Sequence, residues 1–215
     1  MRFAIIADIH GKTDHLNRVF HDILNFSVDE CICLGDVFEV KVSKNEAKNM
    51  SINSIDEIID FDSSLLNFIA NVRTVLGNQE ERMLELYSTD MEESLYSLLK
   101  ELPHEIELND KALIVHGHQF EWLNFDEEYN HPIVPVWKRP LIFYGHNHQN
   151  AIFKIGKETN HNKYDRIEMK PGDKITFDMG NRYLINVGDI KNSPPNWVLY
   201  DDESNQVTFY TVLED

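Results

Sequence analysis

The sequence predicts an α/β fold in which two β-sheets pack together and carry helices on the outside. Strand and helix patterns alternate over residues 1–102, and strand patterns follow one another after Pro103. No low-complexity linker or internal repeat separates the two halves. Alternating strands and helices are typical of layered α/β folds, and the strand-rich half supplies the second sheet. We therefore predict one domain over residues 1–215.

The first half alternates between strands and helices. Residues 3–7 are continuously apolar, which predicts a strand buried on both faces. A helix follows, because apolar side chains recur at helical spacing at Leu16, Val19, Phe20, Ile23 and Leu24. Residues 41–58 are polar and fit either a mobile loop or a short helix. The other predicted elements are strands within 30–36 and 72–78 and helices within 64–72 and 92–103.

The second half contains mostly strand patterns. Apolar runs bounded by polar turns predict strands within 104–110, 111–118, 141–148, 150–156 and 182–189. Residues 196–213 predict a β-hairpin whose turn is DDESN.

Charge and cysteine content limit the partners and the compartment. The net charge of −17 repels polyanions and argues against long nucleic acid as a partner. It does not exclude small phosphate compounds, because bound divalent metals can reverse the local electric field. Cys31 and Cys33 point to the same face of a strand and are poorly placed to bridge, as expected for buried thiols in a reducing compartment. The apolar runs are strand-sized, so no membrane partner is expected and a cytoplasmic location is predicted.

Polar residues recur where the predicted strands end. Seven of them fall at five such points: Asp8, His10, Asp36, Asn78, His116, His146 and His148. In open α/β sheets, sites form beyond the carboxyl ends of the strands. Imidazole, carboxylate and amide oxygen without thiolate suit a pair of divalent or trivalent transition metals. Burying so many polar side chains in an ordinary core would cost free energy. The pattern therefore favours a metal site over separate structural roles for these residues.

Five short motifs occur in order: DIH at 8–10, GD at 35–36, GNQE at 77–80, HGH at 116–118 and GHNH at 145–148. Together they resemble the calcineurin-like metallophosphoesterase superfamily, and most of all its small, single-domain prokaryotic phosphodiesterase branch. INVGD at 185–189 is similar to the family's Asn-Pro-Gly-Ser segment. The resemblance implies a four-layer α-β-β-α sandwich of two mixed sheets.

The resemblance also implies a site with two metal ions. Its ligands would be Asp8, His10 and His148 for the first metal, Asn78, His116 and His146 for the second, and Asp36 as the bridge. A hydroxide between the metals would attack phosphorus in line. Asp36, Asn78 and His118 are then the candidate catalytic residues. Mn, Fe, Zn or Ni would fit these ligands, and Mn is the metal we expect to work in vitro.

Gln79 stands where relatives carry a His that stabilises the phosphoryl group or protonates the leaving oxygen. Gln can donate a hydrogen bond but cannot supply a proton near neutral pH, so Gln79 is a candidate substrate-binding residue. His118 would take over that role, orient a neighbour or help to bind substrate. Glu39, after the GD motif, is expected beside the ligands or on the surface. The histidines without a supporting motif are expected on the surface: His15, His21, His104, His131 and His161.

Residues 119–140 lie between the last two motifs and are rich in aromatic side chains. A cap that stacks on a base would use such residues, with Trp122 as a candidate substrate contact. An interface between copies in a homo-oligomer would use them equally. Both interpretations stay open from the sequence.

The sequence therefore predicts a cytoplasmic phosphoric ester hydrolase with two metals, acting on small phosphodiesters or nucleotides. A phosphoprotein phosphatase or a dinucleoside polyphosphate hydrolase would use the same chemistry. A non-catalytic regulatory protein that keeps the metal fold is the third alternative, and the seven ligand residues argue against it.

Overall fold

The computed structural model describes residues 1–47, 52, 54–87, 93–156 and 164–213. Its strands in the first half are β1 (Arg2–Ile6), β2 (Glu30–Cys33), β3 (Arg73–Thr74), β4 (Glu105–Glu107), β5 (Ala112–Val115), β6 (Glu121–Asn124) and β7 (Asn130–Ile133). The later strands are β8 (Leu141–Tyr144), β9 (Asn150–Ile155), β10 (Tyr164–Ile167), β11 (Lys174–Thr176), β12 (Arg182–Val187), β13 (Asn196–Asp201) and β14 (Gln206–Thr211). The helices are α1 (Thr13–Ile23), α2 (Lys44–Ala47), α3 (Ser63–Asn71), α4 (Asn78–Tyr87) and α5 (Glu93–Glu101), with a 3₁₀ turn at Ile55–Glu57.

Two mixed six-stranded sheets form the centre of the fold. The first has the order β11-β14-β13-β1-β2-β3, and the second has the order β10-β9-β12-β8-β5-β4. In the first sheet β1 and β2 are parallel, as are β2 and β3; in the second, β8 is parallel to both β5 and β12. Because parallel strands end at the same edge, the loops that follow β1, β2 and β3 lie side by side, as do those that follow β5, β8 and β12.

The alternation of side chains along β1 explains why both of its faces are buried. Phe3 and Ile5 enter the core between the sheets, whereas Ala4 and Ile6 face the core beneath the helices. Side chains on a strand alternate between its faces, so a continuous apolar run supplies both cores at once. The predicted central strand is confirmed.

Helices α1, α3, α4 and α5 pack on the outer face of the first sheet. Leu16 of α1, Phe68 of α3, Met83 of α4 and Leu99 of α5 all belong to one buried cluster with β1 residues. Leu24, which fitted the helical pattern, is the C-cap residue of α1 and is 80% exposed. No helix in the described ranges has the length and apolarity that a membrane crossing requires.

The outer face of the second sheet is covered by part of the segment 119–140. Its strands β6 and β7 form a hairpin, and its aromatic side chains pack on the sheet. Those in contact with the buried cluster of the second sheet are Phe120, Trp122, Tyr129 and Trp137. These four rings therefore pack within the chain. Two other apolar side chains of the segment, Phe125 and Val136, are 37% and 72% exposed.

Most predicted elements are present, and the fold class of two mixed sheets with helices is confirmed. The hairpin of β13 and β14 is confirmed with its turn at 202–205. The third strand is shorter than predicted, because the chain leaves the sheet after Thr74 to form a loop. Residues 41–58 contain α2 and the 3₁₀ turn, although 48–51 and 53 lie outside the described residues. Helix α4 and the strands β6, β7, β10 and β11 were not predicted.

The predicted surface location of His131 is wrong. Its side chain is buried between β7 and β10, where its ring stacks on Tyr164 with the ring centres 3.7 Å apart. A neutral imidazole is flat and can pack in a core as an aromatic ring does, and it is also common on surfaces. The sequence around His131 therefore did not indicate whether its side chain is exposed or buried. His161 lies outside the described residues.

The two cysteines are free thiols on the same face of β2, as predicted. Cys33 is buried and Cys31 partly so. Burial raises the pKa of Cys31 to about 12 and raises that of Cys33 as well. Both thiols are therefore protonated and unreactive near neutral pH.

Candidate metal centre

The strand ends bring the seven predicted ligand residues into two adjacent groups. The loop after β1 carries Asp8 and His10, the loop after β2 carries Asp36, and the start of α4 carries Asn78; His116 follows β5, and His146 and His148 follow β8. The first group joins Asp8, His10 and His148, whose potential ligand atoms all lie within 4.8 Å of one another. The second joins Asp36, His116 and His146 within the same limit.

Asp36 lies between the two groups. Its Oδ2 is 3.7 Å from Nε2 of His10 in the first group and 3.4 Å from Nε2 of His116 in the second. Its Oδ1 accepts a hydrogen bond of 2.8 Å from the backbone N–H of Gln79. One carboxylate oxygen is therefore fixed by the backbone, and the other faces both groups.

Asp8 repeats this arrangement within the first group. Its Oδ2 accepts a hydrogen bond of 2.9 Å from the backbone N–H of His146. Its Oδ1 is buried and accepts no hydrogen bond from the described residues, yet it lies 3.4 Å from Nε2 of His148 and 3.7 Å from Nε2 of His10. A buried carboxylate oxygen without a donor is costly, and a cation at this point would remove that cost.

Asn78 completes the second group. The tip of its amide lies 3.3 Å from Oδ2 of Asp36, 3.0 Å from Nε2 of His116 and 2.8 Å from Nδ1 of His146. An amide nitrogen at this tip would donate hydrogen bonds to these atoms. An amide oxygen there would instead complete the ligand set of a cation among them.

Each of three imidazoles has an outer partner for its Nδ1 atom. His116 has the carbonyl oxygen of Leu34 at 2.7 Å, and His148 has Oδ2 of Asp189 at 3.5 Å. His10 contacts the carboxylate of Glu39. Such partners fix the tautomer and leave Nε2 free to face a metal. The donor set and its outer partners therefore fit two metal ions.

The backbone at the site is held in an unusual conformation. Five of the candidate ligands have a positive φ, from 48° to 75°: Asp8, His10, Asp36, His146 and His148. Asn205 is the one other described residue, apart from glycine, with a positive φ. This left-handed region costs free energy for residues with a Cβ, and such strain concentrates at functional sites.

Two glycines allow the loops to approach the carboxylates closely. A Cβ added to Gly77 would lie 2.3 Å from Oδ1 of Asp36, and one added to Gly145 would lie 2.4 Å from Oδ2 of Asp8. Both distances are far shorter than a van der Waals contact. The glycines of GNQE and GHNH are therefore required by the packing of the loops on Asp36 and Asp8.

Glu80 holds the loop that carries Asp36. Its buried carboxylate accepts hydrogen bonds from the backbone N–H groups of Asp36 and Val37 at 2.8 Å, of Phe38 at 3.1 Å and of Gly77 at 3.2 Å. Burial, together with the charge of Asp36, raises the pKa of Glu80 to about 7. The sequence reasoning missed this role. An acidic residue in the first turn of a helix ordinarily interacts with the helix dipole. A glutamate at this position therefore did not indicate that it binds the neighbouring loop.

The imidazoles of the second group have opposite pKa shifts. Burial lowers the pKa of His116, but the charge and side-chain contact of Asp36, the charge of Asp8 and the carbonyl oxygen of Leu34 together outweigh burial and raise it to about 9. Burial and the neighbouring His116 lower the pKa of His146 to about 4. Since a metal binds neutral imidazole, binding at this group would displace the proton of His116.

The remaining candidate residues lie around the two groups. Nε2 of His118 is 3.1 Å from Oε1 of Glu81, and its ring centre is 5.2 Å from that of His116. Gln79 accepts a hydrogen bond of 3.1 Å from the backbone N–H of Val40, so its side chain is held by the loop after β2. The ring of Trp122 lies 5.6 Å from that of His146, and its Nε1 donates to the carbonyl oxygen of Gly117.

Comparisons show which known proteins the chain is similar to. The chain is 25% identical over 205 residues to the uncharacterised protein MJ0912 of Methanocaldococcus jannaschii, covering 87% of this chain and 75% of that one. Among solved structures, a metallophosphoesterase from Sphaerobacter thermophilus matches with a TM-score of 0.63 and 21% identity, covering 100% of this chain and 90% of that one. The structure of "a putative diadenosine tetraphosphatase" matches with a TM-score of 0.53 and 13% identity, covering 100% and 95%. These structural matches show the fold.

The family follows from a match that covers most of the chain. Residues 1–193 match the model of the calcineurin-like phosphoesterase superfamily domain. The resemblance inferred from the five motifs is confirmed, and so is the prediction of a phosphoric ester hydrolase. The chain belongs to the calcineurin-like phosphoesterase superfamily.

Proposed function

We propose that this protein hydrolyses small phosphodiesters or nucleotides with two metal ions held by the two His/Asp groups. The observation that carries the proposal is the position of Asp36, whose Oδ2 faces imidazole nitrogens of both groups. A carboxylate oxygen shared in this way is suited to bridging two metals. When bound, the metals would neutralise charge on the phosphoryl oxygens and supply an activated water as the nucleophile.

The residues of this chain would hold and orient the reacting groups. Asp8 and Asp36 each keep one oxygen on a backbone N–H, so their other oxygens stay directed at the centre. Asn78 points its amide into the second group. His118 lies beside the groups without belonging to either, and in this proposal it contacts the phosphoryl group or the leaving oxygen.

The preference for diesters rests on Gln79 and on charge. Gln79 cannot supply a proton to a poor leaving group, and its side chain is held by Val40. A phosphate monoester also carries more negative charge than a diester, and the protein has a net charge of −17. Both effects disfavour alkyl monoesters relative to diesters with good leaving groups.

Two further expectations remain proposals. The free thiols of Cys31, which is partly buried, and Cys33, which is buried, support a cytoplasmic location. The segment 119–140 supports a cap more than an oligomer interface, because four of its aromatic rings pack inside the chain and Trp122 lies beside His146.

The experiment is a turnover assay combined with metal analysis. The protein is stripped of metal, loaded with Mn²⁺, Fe²⁺, Zn²⁺ or Ni²⁺, and assayed on bis-nitrophenyl phosphate, cyclic nucleotides, dinucleoside polyphosphates and a phosphopeptide. We expect about two metals per chain, with Mn²⁺ active, and the highest kcat/KM on diesters or nucleotides. Less than one metal per chain, or turnover confined to the phosphopeptide, would contradict the proposal.

A further inference from the structure

Glu39 links His10 to a lysine from a distant part of the chain. Its carboxylate contacts Nδ1 of His10, and the same Oε2 atom lies 3.0 Å from Nζ of Lys191. The three residues come from the loops after β1, β2 and β12, so the contact ties three separate segments together. They line a cavity of about 280 Å³ beside the first group, together with Gly11, Lys12 and Asp60.

The contact with Glu39 determines which nitrogen of His10 is free. The negative charge of the carboxylate lies against Nδ1, which favours a proton on that nitrogen and leaves the lone pair of Nε2 for the centre of the site. That Nε2 lies 3.2 Å from Nε2 of His148 and 3.7 Å from Oδ2 of Asp36. The imidazole is therefore oriented toward the other donors of the first group and toward the bridge.

Lys191 determines where Glu39 can lie. The side chain of Glu39 is 44% exposed, so on its own it would sample several rotamers in water. The backbone N–H of Lys191 donates to the carbonyl oxygen of Asp8 at 2.9 Å, which anchors the lysine to the loop that carries the ligands. Its ammonium group then restrains the carboxylate next to His10.

We propose that Glu39 and Lys191 are positioning residues for the first metal: Lys191 fixes Glu39, and Glu39 fixes the tautomer and orientation of His10. The inference rests on the proposed function only in taking the first group to bind a metal. An exposed ion pair ordinarily contributes little to stability. Removing this pair should therefore lower the metal affinity and leave the stability of the fold nearly unchanged.

The test is a metal titration of the full chain, followed by calorimetry with Mn²⁺ and by the visible absorption of Co²⁺. The variants are Glu39→Ala, Glu39→Gln, Lys191→Met and Lys191→Arg. The variant His10→Ala marks which binding step belongs to the first group. Glu30→Ala is the matched control, because Glu30 is also a partly exposed glutamate in an ion pair, at 2.9 Å from Arg73.

We expect Glu39→Ala to weaken the step marked by His10→Ala by about 10–100-fold, as for other outer partners of metal-binding histidines. The Co²⁺ spectrum should change with it, while the melting temperature of the metal-free protein stays close to that of Glu30→Ala. Glu39→Gln and Lys191→Met should weaken the same step less, and Lys191→Arg should preserve it. Unchanged affinity in Glu39→Ala would overturn the proposal.

A double variant separates orientation from simple charge. Glu39→Ala alone leaves Lys191 as an extra positive charge that repels a metal. In Glu39→Ala/Lys191→Met both charges are gone, so a purely electrostatic effect would disappear and the affinity would return to the wild-type value. If orientation is the cause, the double variant stays weak. Because the measurement is affinity, a wild type that binds two metals without hydrolysing any diester would refute the proposed function and leave this test intact.

Discussion

Oδ2 of Asp36 lies 3.4 Å from Nε2 of His116, and both side chains are buried. The other oxygen of Asp36 is occupied by the backbone N–H of Gln79. Neither oxygen of Asp36 is therefore exposed to water. Burial lowers the pKa of His116, but the charge and contact of Asp36, together with Asp8 and Leu34, raise it to about 9. The imidazole of His116 therefore supplies a counter-charge to this buried carboxylate.

Asp36→Asn should lower kcat on bis-nitrophenyl phosphate by at least two orders of magnitude and reduce the metal content per chain. The amide keeps the shape of the carboxylate but loses the charge that two metals would share. Elemental analysis and steady-state kinetics after Mn²⁺ loading measure the effect. His21→Ala, an exposed position on α1, is the control and should match the wild type. An Asp36→Asn protein with two metals and normal kcat would rule out the bridge.

Glu80→Gln should destabilise the protein. An amide replaces one acceptor oxygen with an NH₂ group that faces backbone N–H donors, so at least one buried donor loses its partner. Each such loss costs about 1–3 kcal/mol. Urea unfolding of the metal-free protein measures the change against Glu85→Gln, an exposed position on the same helix. Equal unfolding free energies for the two variants would show that the four hydrogen bonds to Glu80 do not hold the loop.

The sequence identified the residues that form the two His/Asp groups, but it did not identify Glu80 and Lys191, which contact the loops around them. Asp8 and His148 were recognisable because donor residues at strand ends have a characteristic spacing. Glu80 and Lys191 act through contacts with residues more than 40 positions away, which no local pattern encodes. His131 was misplaced because an imidazole fits a surface and an aromatic core equally well. Local physics thus predicts the strands and their ends, whereas the partners of each ligand depend on the packing of the loops.

Trp122→Ala should raise KM for a nucleotide more than KM for a small aryl diester, with kcat nearly unchanged. The ring lies beside His146, where it could stack on a base, and loss of uniform binding raises KM alone. Trp137→Ala is the matched control. Trp137 belongs to the same aromatic layer but packs over Arg182, with 5.5 Å between the guanidinium and the ring centre. Equal KM changes for both substrates, with a shift to monomer in size-exclusion chromatography, would favour an interface instead.

His131 should make the metal-free protein less stable in mild acid. Burial lowers its pKa in the folded state below the ordinary 6.5, so below that pH the unfolded chain binds more protons than the folded one. The unfolding free energy therefore falls as the pH decreases through 6.5 and levels off below the folded pKa. His131→Phe keeps the stacking on Tyr164 and should flatten this decrease between pH 7 and pH 5. Thermal unfolding measures it, with His21→Phe as the exposed control. Parallel pH profiles for wild type and His131→Phe would contradict the assignment.

Gln79→His should recover activity toward alkyl phosphate esters. The wild type lacks a proton donor at this position, so its kcat/KM should fall steeply as the pKa of the leaving group rises. A histidine that reaches the leaving oxygen would contribute about 10²–10⁴-fold for a poor leaving group and little for nitrophenolate.

The structure adds a condition to this prediction. Gln79 also accepts a hydrogen bond from the backbone N–H of Val40, and a histidine would lose that contact. Gln79→Ala loses the same hydrogen bond without gaining an acid. Comparing the two variants therefore distinguishes the effect of a displaced loop on kcat/KM from the effect of a new proton donor. The measurement is kcat/KM for the wild type and both variants over a series of esters at saturating Mn²⁺. A slope for Gln79→His that is shallower than that of both other proteins supports the assignment. Three parallel lines would show that the missing proton does not come from this position.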